Sequence, residues 1–311
     1  FLSELALRGG PLTAGFPATT VTSLASLGTG RPPGQHGVLG YQVAVPGEGM
    51  LLNALHWDSR VDPVAWQPGS TIFERAVAAG IGAFRVANSK FQQTGLFFAT
   101  MRGADYVSAN TFGALAAQAA TTLRRSDRAL AVVYHGELDG TGHVFGCSSD
   151  AWLYHLGHVD KLAEQLAAAL PPGTVLYVTA DHGMTDIPLE DRIDADAVPD
   201  LRAGVSLLGG EPRARHVYAK PGAASDVLAA WREILGHRAW VVSREEAIAD
   251  GWFGQVEAGL APRIGDVVAA PAGPWAIVAT KAEPRESALI GMHGSLTSAD
   301  QLVPLLTSPA V

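Results

Sequence analysis

The sequence predicts an α/β fold, in which a doubly wound, mainly parallel sheet lies between helices and a small α+β subdomain is inserted late in the chain. Three observations carry this expectation. Short apolar runs at 129–134 and 174–179 alternate with helix-length segments, as in a parallel sheet covered on both faces. Chemistry-bearing residues, Asp139 and Asp181, fall just beyond those runs, at the strand ends where α/β sheets bind ligands. From about Glu211 to Pro262 the pattern breaks into shorter strand-like pieces.

The elements follow in order. Residues 1–8 read as the tail of a helix closed by Gly9-Gly10. Residues 20–27 form a helix with a hydroxyl-rich start, stopped by Gly28 and Gly30; Gly28-Thr29-Gly30 is no dinucleotide fingerprint, since no strand leads into it. Segments 71–79 and 108–123 are helical, with Gly113 a flaw in the second. Residues 129–134 are expected as a strand buried on both faces. Residues 151–170 form a long helix ended by Pro171-Pro172-Gly173, and 174–179 are a second buried strand leading directly to Asp181-His182. Strands at 216–219 and 239–242 flank an amphipathic helix at 224–235. Runs 265–269 and 275–279 are expected to return to the main sheet. The division is therefore a core of 1–210 and 263–311 with an insert at 211–262.

Composition narrows the function. The chain has 311 residues, 48% of them hydrophobic and 17% charged, enough for a filled core and too apolar for disorder. A formal charge of -8 argues against binding nucleic-acid polymers, although bound metal ions can reverse the local field and admit a small anionic substrate. The single Cys147 excludes an internal disulfide and a cysteine zinc cluster. No apolar run approaches the roughly 20 residues that span a bilayer, and no signal peptide is visible, so the expectation is a cytoplasmic protein without a membrane partner.

Four stretches carry chemistry. Asp181-His182-Gly183 puts an oxygen and a nitrogen ligand on one turn after a strand, with Gly183 allowing a tight bend. Asp139 and His143 are four residues apart and can converge on one ion, in a turn or on one helical face. His293-Gly294 adds a further imidazole. Upstream, Thr19, Thr20, Thr22 and Ser23 gather hydroxyls at a helix start, where they serve either as simple caps or as a nucleophile beside backbone N–H groups that receive an anion. His155 and His158 read as solvated or packed helix residues, and His36 as a structural residue in a turn near the site. His56, His135, His216 and His237 have no partner pattern.

The stretch Phe16-Pro17-Ala18-Thr19-Thr20-Val21-Thr22-Ser23, with Thr29-Gly30, Pro32 and His36-Gly37 behind it, resembles the nucleophile motif of the nucleotide pyrophosphatase/phosphodiesterase branch of the alkaline phosphatase superfamily. Asp139-x-x-x-His143, Asp181-His182-Gly183 and His293-Gly294 resemble that family's metal motifs in order. The resemblance implies two zinc ions, one held by Asp139, His143 and His293, the other by Asp181, His182 and Thr20. It makes Thr20 the nucleophile and Ser23 a hydrogen-bond donor to a phosphate oxygen, in place of the family's Asn. It implies zinc-dependent hydrolysis of a phosphodiester or nucleotide pyrophosphate bond in a small-molecule phosphate ester. The family's aromatic after the nucleophile is Val21 here. A further ligand Asp would follow a first strand upstream; no Asp precedes Asp58, so a preceding segment is expected to carry it. A sulfatase is disfavoured because no Cys/Ser-x-Pro-x-Arg stretch occurs. The rivals are a phosphomonoesterase on the same scaffold, with Arg31, Arg60 or Lys90 as the extra cationic contact, and a metal-deficient, non-catalytic relative.

Overall fold

The computed structural model describes residues 1–7 and 9–308, so Arg8, at the end of the expected first helix, lies outside the described residues. A short helix does open the chain at Leu2–Ala6. The centre is a parallel sheet in the order Asp105–Ser108, Gly82–Ala87, Ala129–Val133. Alternation puts Ala83, Leu130 and Val132 on one face and Val86 and Val133 on the other. The first face packs with Val21, Leu24 and Phe73, from the helices Thr20–Thr29 and Ile72–Ala78. The second is covered by Leu115 and Ala119 of Phe112–Leu123 and Leu162 and Leu166 of Asp150–Ala169. Helices on both faces make this an α/β fold around a parallel sheet.

A second, antiparallel group runs Gly10–Thr13, Leu302–Ser308, Leu176–Thr179. Here two expectations fail. The strands at 129–133 and 176–179 are not fully buried: the first is half-buried throughout, and Tyr177 is 63% exposed. Among the described residues each has a hydrogen-bonded neighbour on one side only, Gly82–Ala87 and Leu302–Ser308 respectively. Both nevertheless touch the Leu162 and Leu166 cluster, through Val133 and Leu176.

The helix Thr20–Thr29 runs one residue past Gly28 and is capped by Gly30 at φ 69°. Gly28 is therefore no stop. A Cβ there would sit 1.9 Å from the Thr100 carbonyl oxygen, so glycine permits the close approach of the helix Gly95–Thr100.

The late part of the chain forms a four-stranded antiparallel sheet in the order Val205–Glu211, Ala214–Ala219, Val267–Pro271, Ala239–Ser243. Helix Ala224–Leu235 buries Val227, Trp231 and Leu235 against it. The run expected at 265–269 to rejoin the main sheet is instead a central strand here. Val268 and Ala270 contribute to the first core and Val267 and Ala269 to this one, so a two-sided apolar strand suits either sheet and its sequence does not choose. Ala276–Val278 pairs parallel with Arg192–Asp194 in a ladder of its own, not with the main sheet. No helix among the described residues is long and apolar enough to cross a membrane.

Candidate metal centre

Thr19 is extended (φ -140°, ψ 151°) and Thr20 is the first helical residue, so the N–H groups of the first turn have no helical acceptor. Three hydroxyls of this turn are fully accounted for or hidden. Thr19 donates to Glu211 Oε2 at 3.1 Å, and Thr22 donates to the Val38 carbonyl at 3.1 Å. Ser23 Oγ is buried with no hydrogen-bond partner among the described residues. Thr20 Oγ1 lies 3.1 Å from His182 Nε2.

Asp139 and His143 sit one turn apart on the helix Glu137–Phe145, which follows the strand Ala129–Val133. Asp181-His182 follows Leu176–Thr179. His293 follows Gly291–Met292, which pairs antiparallel with Thr185–Asp186. That short ladder brings His293 beside His182, ring centroids 3.7 Å apart and nearly parallel. The Ala18 N–H donates to the Gly294 carbonyl at 3.0 Å and ties the Thr20 segment to the same place. Glycine at 183 is needed for close approach rather than for a bend: a Cβ would lie 2.0 Å from the Ala299 carbonyl oxygen.

The geometry centres on Asp139 Oδ1. It is 3.4 Å from His143 Nε2, 3.8 Å from His293 Nε2 and 3.9 Å from His182 Nε2. That oxygen is buried and accepts no hydrogen bond among the described residues. Each imidazole has its other nitrogen against a main-chain carbonyl: His143 Nδ1 at 2.7 Å from Gly291 O, His182 Nδ1 at 2.7 Å from Gly183 O, His293 Nδ1 at 3.0 Å from Ala18 O. A carbonyl only accepts, so each Nδ1 carries the proton and each Nε2 points a lone pair at the centre. An orphaned carboxylate oxygen ringed by lone pairs fits a cation. Asp139, His143 and His293 offer three donor atoms within 4.8 Å of one another. Asp181 Oδ1 is 3.9 Å from His182 Nε2.

Burial raises the Asp139 carboxyl above its ordinary range; His143 and His182 oppose the rise and Asp181 adds to it. Burial holds His293 well below the usual imidazole range, aided by His182 and His143, so it stays neutral and able to ligate.

Sequence reasoning missed Glu211. It is 7% exposed, and its Oε2 is 3.5 Å from His293 Nδ1 as well as bonded to Thr19. Burial pushes its carboxyl well above the usual range, with Thr19 and then Arg215 opposing. Nothing in its spacing marks it, because strand pairing alone carries it to the site. It also missed the pairing of His135 with His155, whose Nε2 atoms are 2.8 Å apart. His36 is buried, with Nε2 3.0 Å from Ser26 Oγ and Nδ1 accepting from the Val38 N–H. Of the cationic candidates, Arg60 pairs with Asp58 on the exposed surface, Arg31 lies against Gly69, and Lys90 reaches Glu137 on the Asp139 helix.

An α/β fold that gathers Asp139, His143, His182 and His293 around one point, with a threonine at a helix start beside them, is the setting of a phosphoester hydrolase, and the family match agrees. Residues 1–296 match the profile of the type I phosphodiesterase / nucleotide pyrophosphatase family, and the chain belongs to that family. Its fold is similar to murine ectonucleotide pyrophosphatase/phosphodiesterase 5 (TM-score 0.76, 19% identity, 97% of this chain and 81% of that one). The human counterpart gives TM-score 0.75 and 20% identity over 98% of this chain and 81% of that one. Phosphonoacetate hydrolase from Sinorhizobium meliloti 1021, in complex with phosphonoformate, gives TM-score 0.72 and 20% identity over 98% of this chain and 83% of that one. No curated protein matches the sequence.

Proposed function

We propose that the chain is a zinc-dependent phosphoric ester hydrolase that cleaves phosphodiesters or nucleotide pyrophosphate bonds through Thr20. The observation that carries this is the 3.1 Å approach of Thr20 Oγ1 to His182 Nε2, at the edge of the Asp139 cluster. Asp139, His143 and His293 would hold one ion, and Asp181, His182 and Thr20 the other. When bound, the two ions would neutralise charge on the attacking and leaving oxygens of the phosphoryl group.

The chain's own residues do the rest. Thr20 Oγ1, its proton lost to solvent, attacks phosphorus in line as the P–O bond on the opposite side breaks, and the leaving oxygen takes a proton from water. The free N–H groups of the first helical turn receive the non-bridging oxygens. Ser23 stands three residues on, on the same side of the helix, and its partnerless hydroxyl donates to one of those oxygens. Water then releases the phosphoryl group from Thr20. Glu211 accepts from Thr19 and lies against His293, so it fixes the neighbours of Thr20 without touching substrate.

The orphaned Asp139 Oδ1 disfavours a metal-deficient relative. A hydrolysis screen tests the reading, with a nitrophenyl nucleotide diester, dinucleoside polyphosphates, a nitrophenyl monoester and phosphonoacetate. The proposal expects the diester or the polyphosphates to turn over fastest, with activity lost on chelation. Preference for the monoester would move the reading to a phosphomonoesterase, and rates indifferent to chelation would end it.

A further inference from the structure

The helix Glu137–Phe145 carries a second pair one turn apart. Glu137 and Thr141 lie about 200° around the axis from Asp139 and His143, at about 100° per residue, so the two pairs serve opposite sides. On the far side stand His135, just past the strand Ala129–Val133, and His155 of the helix Asp150–Ala169. Their Nε2 atoms are 2.8 Å apart.

The protons explain why that distance matters. Thr141 Oγ1 donates its one proton to the Glu137 carbonyl at 2.8 Å. It can therefore only accept from His155 Nδ1, 3.3 Å away, and that nitrogen carries the His155 proton. Glu137 Oε2 is 3.0 Å from His135 Nδ1, and a carboxylate there favours the proton on that nitrogen too. Both neutral rings then direct Nε2 lone pairs at each other, an arrangement that needs a cation between them. Phe112 walls the pair, its ring centroid 4.6 Å from His135 and 5.9 Å from His155. Burial holds both imidazoles below their ordinary range, in the neutral form that ligates. Lys90, 3.2 Å from Glu137 Oε1, opposes a cation, but the Glu137 carboxylate stands between.

We infer that His135 and His155 form a binding site, separate from the Asp139 cluster, for one divalent transition-metal ion of borderline softness such as zinc, copper(II) or nickel. Imidazole suits these ions. Zn–N bonds of about 2.0–2.1 Å in tetrahedral geometry set ligand nitrogens about 3.4 Å apart, so the rings would open by about 0.6 Å. Two protein ligands leave the remaining positions to water. The ion would join the end of the strand Ala129–Val133 to the long helix.

The test is an ion count. Metal-stripped full-length protein is titrated with zinc against a chromophoric chelator, for wild type and for His135→Gln, His155→Gln, His56→Gln and Asp139→Asn. The site predicts one ion fewer per chain in both His135→Gln and His155→Gln, and no change in His56→Gln. Asp139→Asn should retain this ion whatever it loses elsewhere, so failure of the Asp139 centre and failure of this site give different patterns. Should His135→Gln not fold, the half-exposed His155→Gln still decides, together with imidazole NMR of the wild type. In that spectrum the resonance lost in His155→Gln must shift on zinc addition while His56 does not. An unchanged ion count in His155→Gln, or a His155 resonance that ignores zinc, means that the pair shares a proton and overturns the inference.

Discussion

Replacing Asp300 with Asn should destabilise the protein by about 3 kcal/mol, near the low end of the 3–5 kcal/mol expected when one partner of a buried ion pair is removed. Asp300 and Arg213 are both fully buried. Asp300 takes Arg213 Nε at 2.9 Å and Nη2 at 2.6 Å, a bidentate pair. It also accepts from the Ser295 N–H at 3.2 Å and from the Thr297 hydroxyl. An amide has the same shape but no charge, and leaves the guanidinium buried without a counter-ion. The low end is expected because Arg213 Nη1 still donates to the carbonyls of Gly273 and Trp275, at 2.8 and 2.6 Å. Urea unfolding of wild type, Asp300→Asn, Arg213→Met and the double variant Arg213→Met/Asp300→Leu measures the effect. The double variant should be less destabilised than Asp300→Asn, since it buries no lone charge. A loss below about 1 kcal/mol in the single variant, or a double variant worse than both singles, would refute the charge argument.

Three further outcomes follow from the site and the core. Thr20→Ala should lower turnover by about three orders of magnitude or more with the fold intact, whereas Thr19→Ala should mainly cost stability, about 1–3 kcal/mol, because buried Glu211 loses its donor; near-wild-type rates in Thr20→Ala would require another attacker. Asp139→Asn should reduce bound metal in elemental analysis of the purified protein, and an unchanged content would exclude Asp139 as a ligand. Buried His36 and His216 are held down to about 3 and about 4, in each case first by desolvation. Both groups bind a proton more readily in the unfolded chain, so their contribution is whole above about pH 6.5 and shrinks as pH falls towards those values. Together they should remove about 4 kcal/mol between pH 8 and pH 5, and a stability flat over that range would contradict neutral burial.

The parts legible in the sequence were those with local causes. The hydroxyl start of the helix Thr20–Thr29 and the apolar face of Ala224–Leu235 are set by neighbours a few residues away. The gathering of Asp139, His143, His182 and His293 was legible because Asp and His just beyond strand-like runs fall at the end of an α/β sheet where loops converge. What escaped depends on partners far along the chain. Val267–Pro271 could have joined either sheet, Glu211 reaches Thr19 across 192 positions, and His135 meets His155 only because a strand end and a helix flank happen to abut. Half-burial of Ala129–Val133 was equally invisible, since composition reports what a strand tolerates, not how many neighbours it has.

The three imidazoles around Asp139 are all steered by the peptide backbone, through the carbonyls of Gly291, Gly183 and Ala18. A side-chain acceptor can be erased by one codon change; a carbonyl survives every substitution at its own position that keeps the local path of the chain. The angular setting of the rings is thus insulated from genetic drift in the surrounding residue types. Selection on the centre then acts on the few places where the path itself is vulnerable, such as Gly183, where any added side-chain atom would collide with the neighbouring Ala299 peptide.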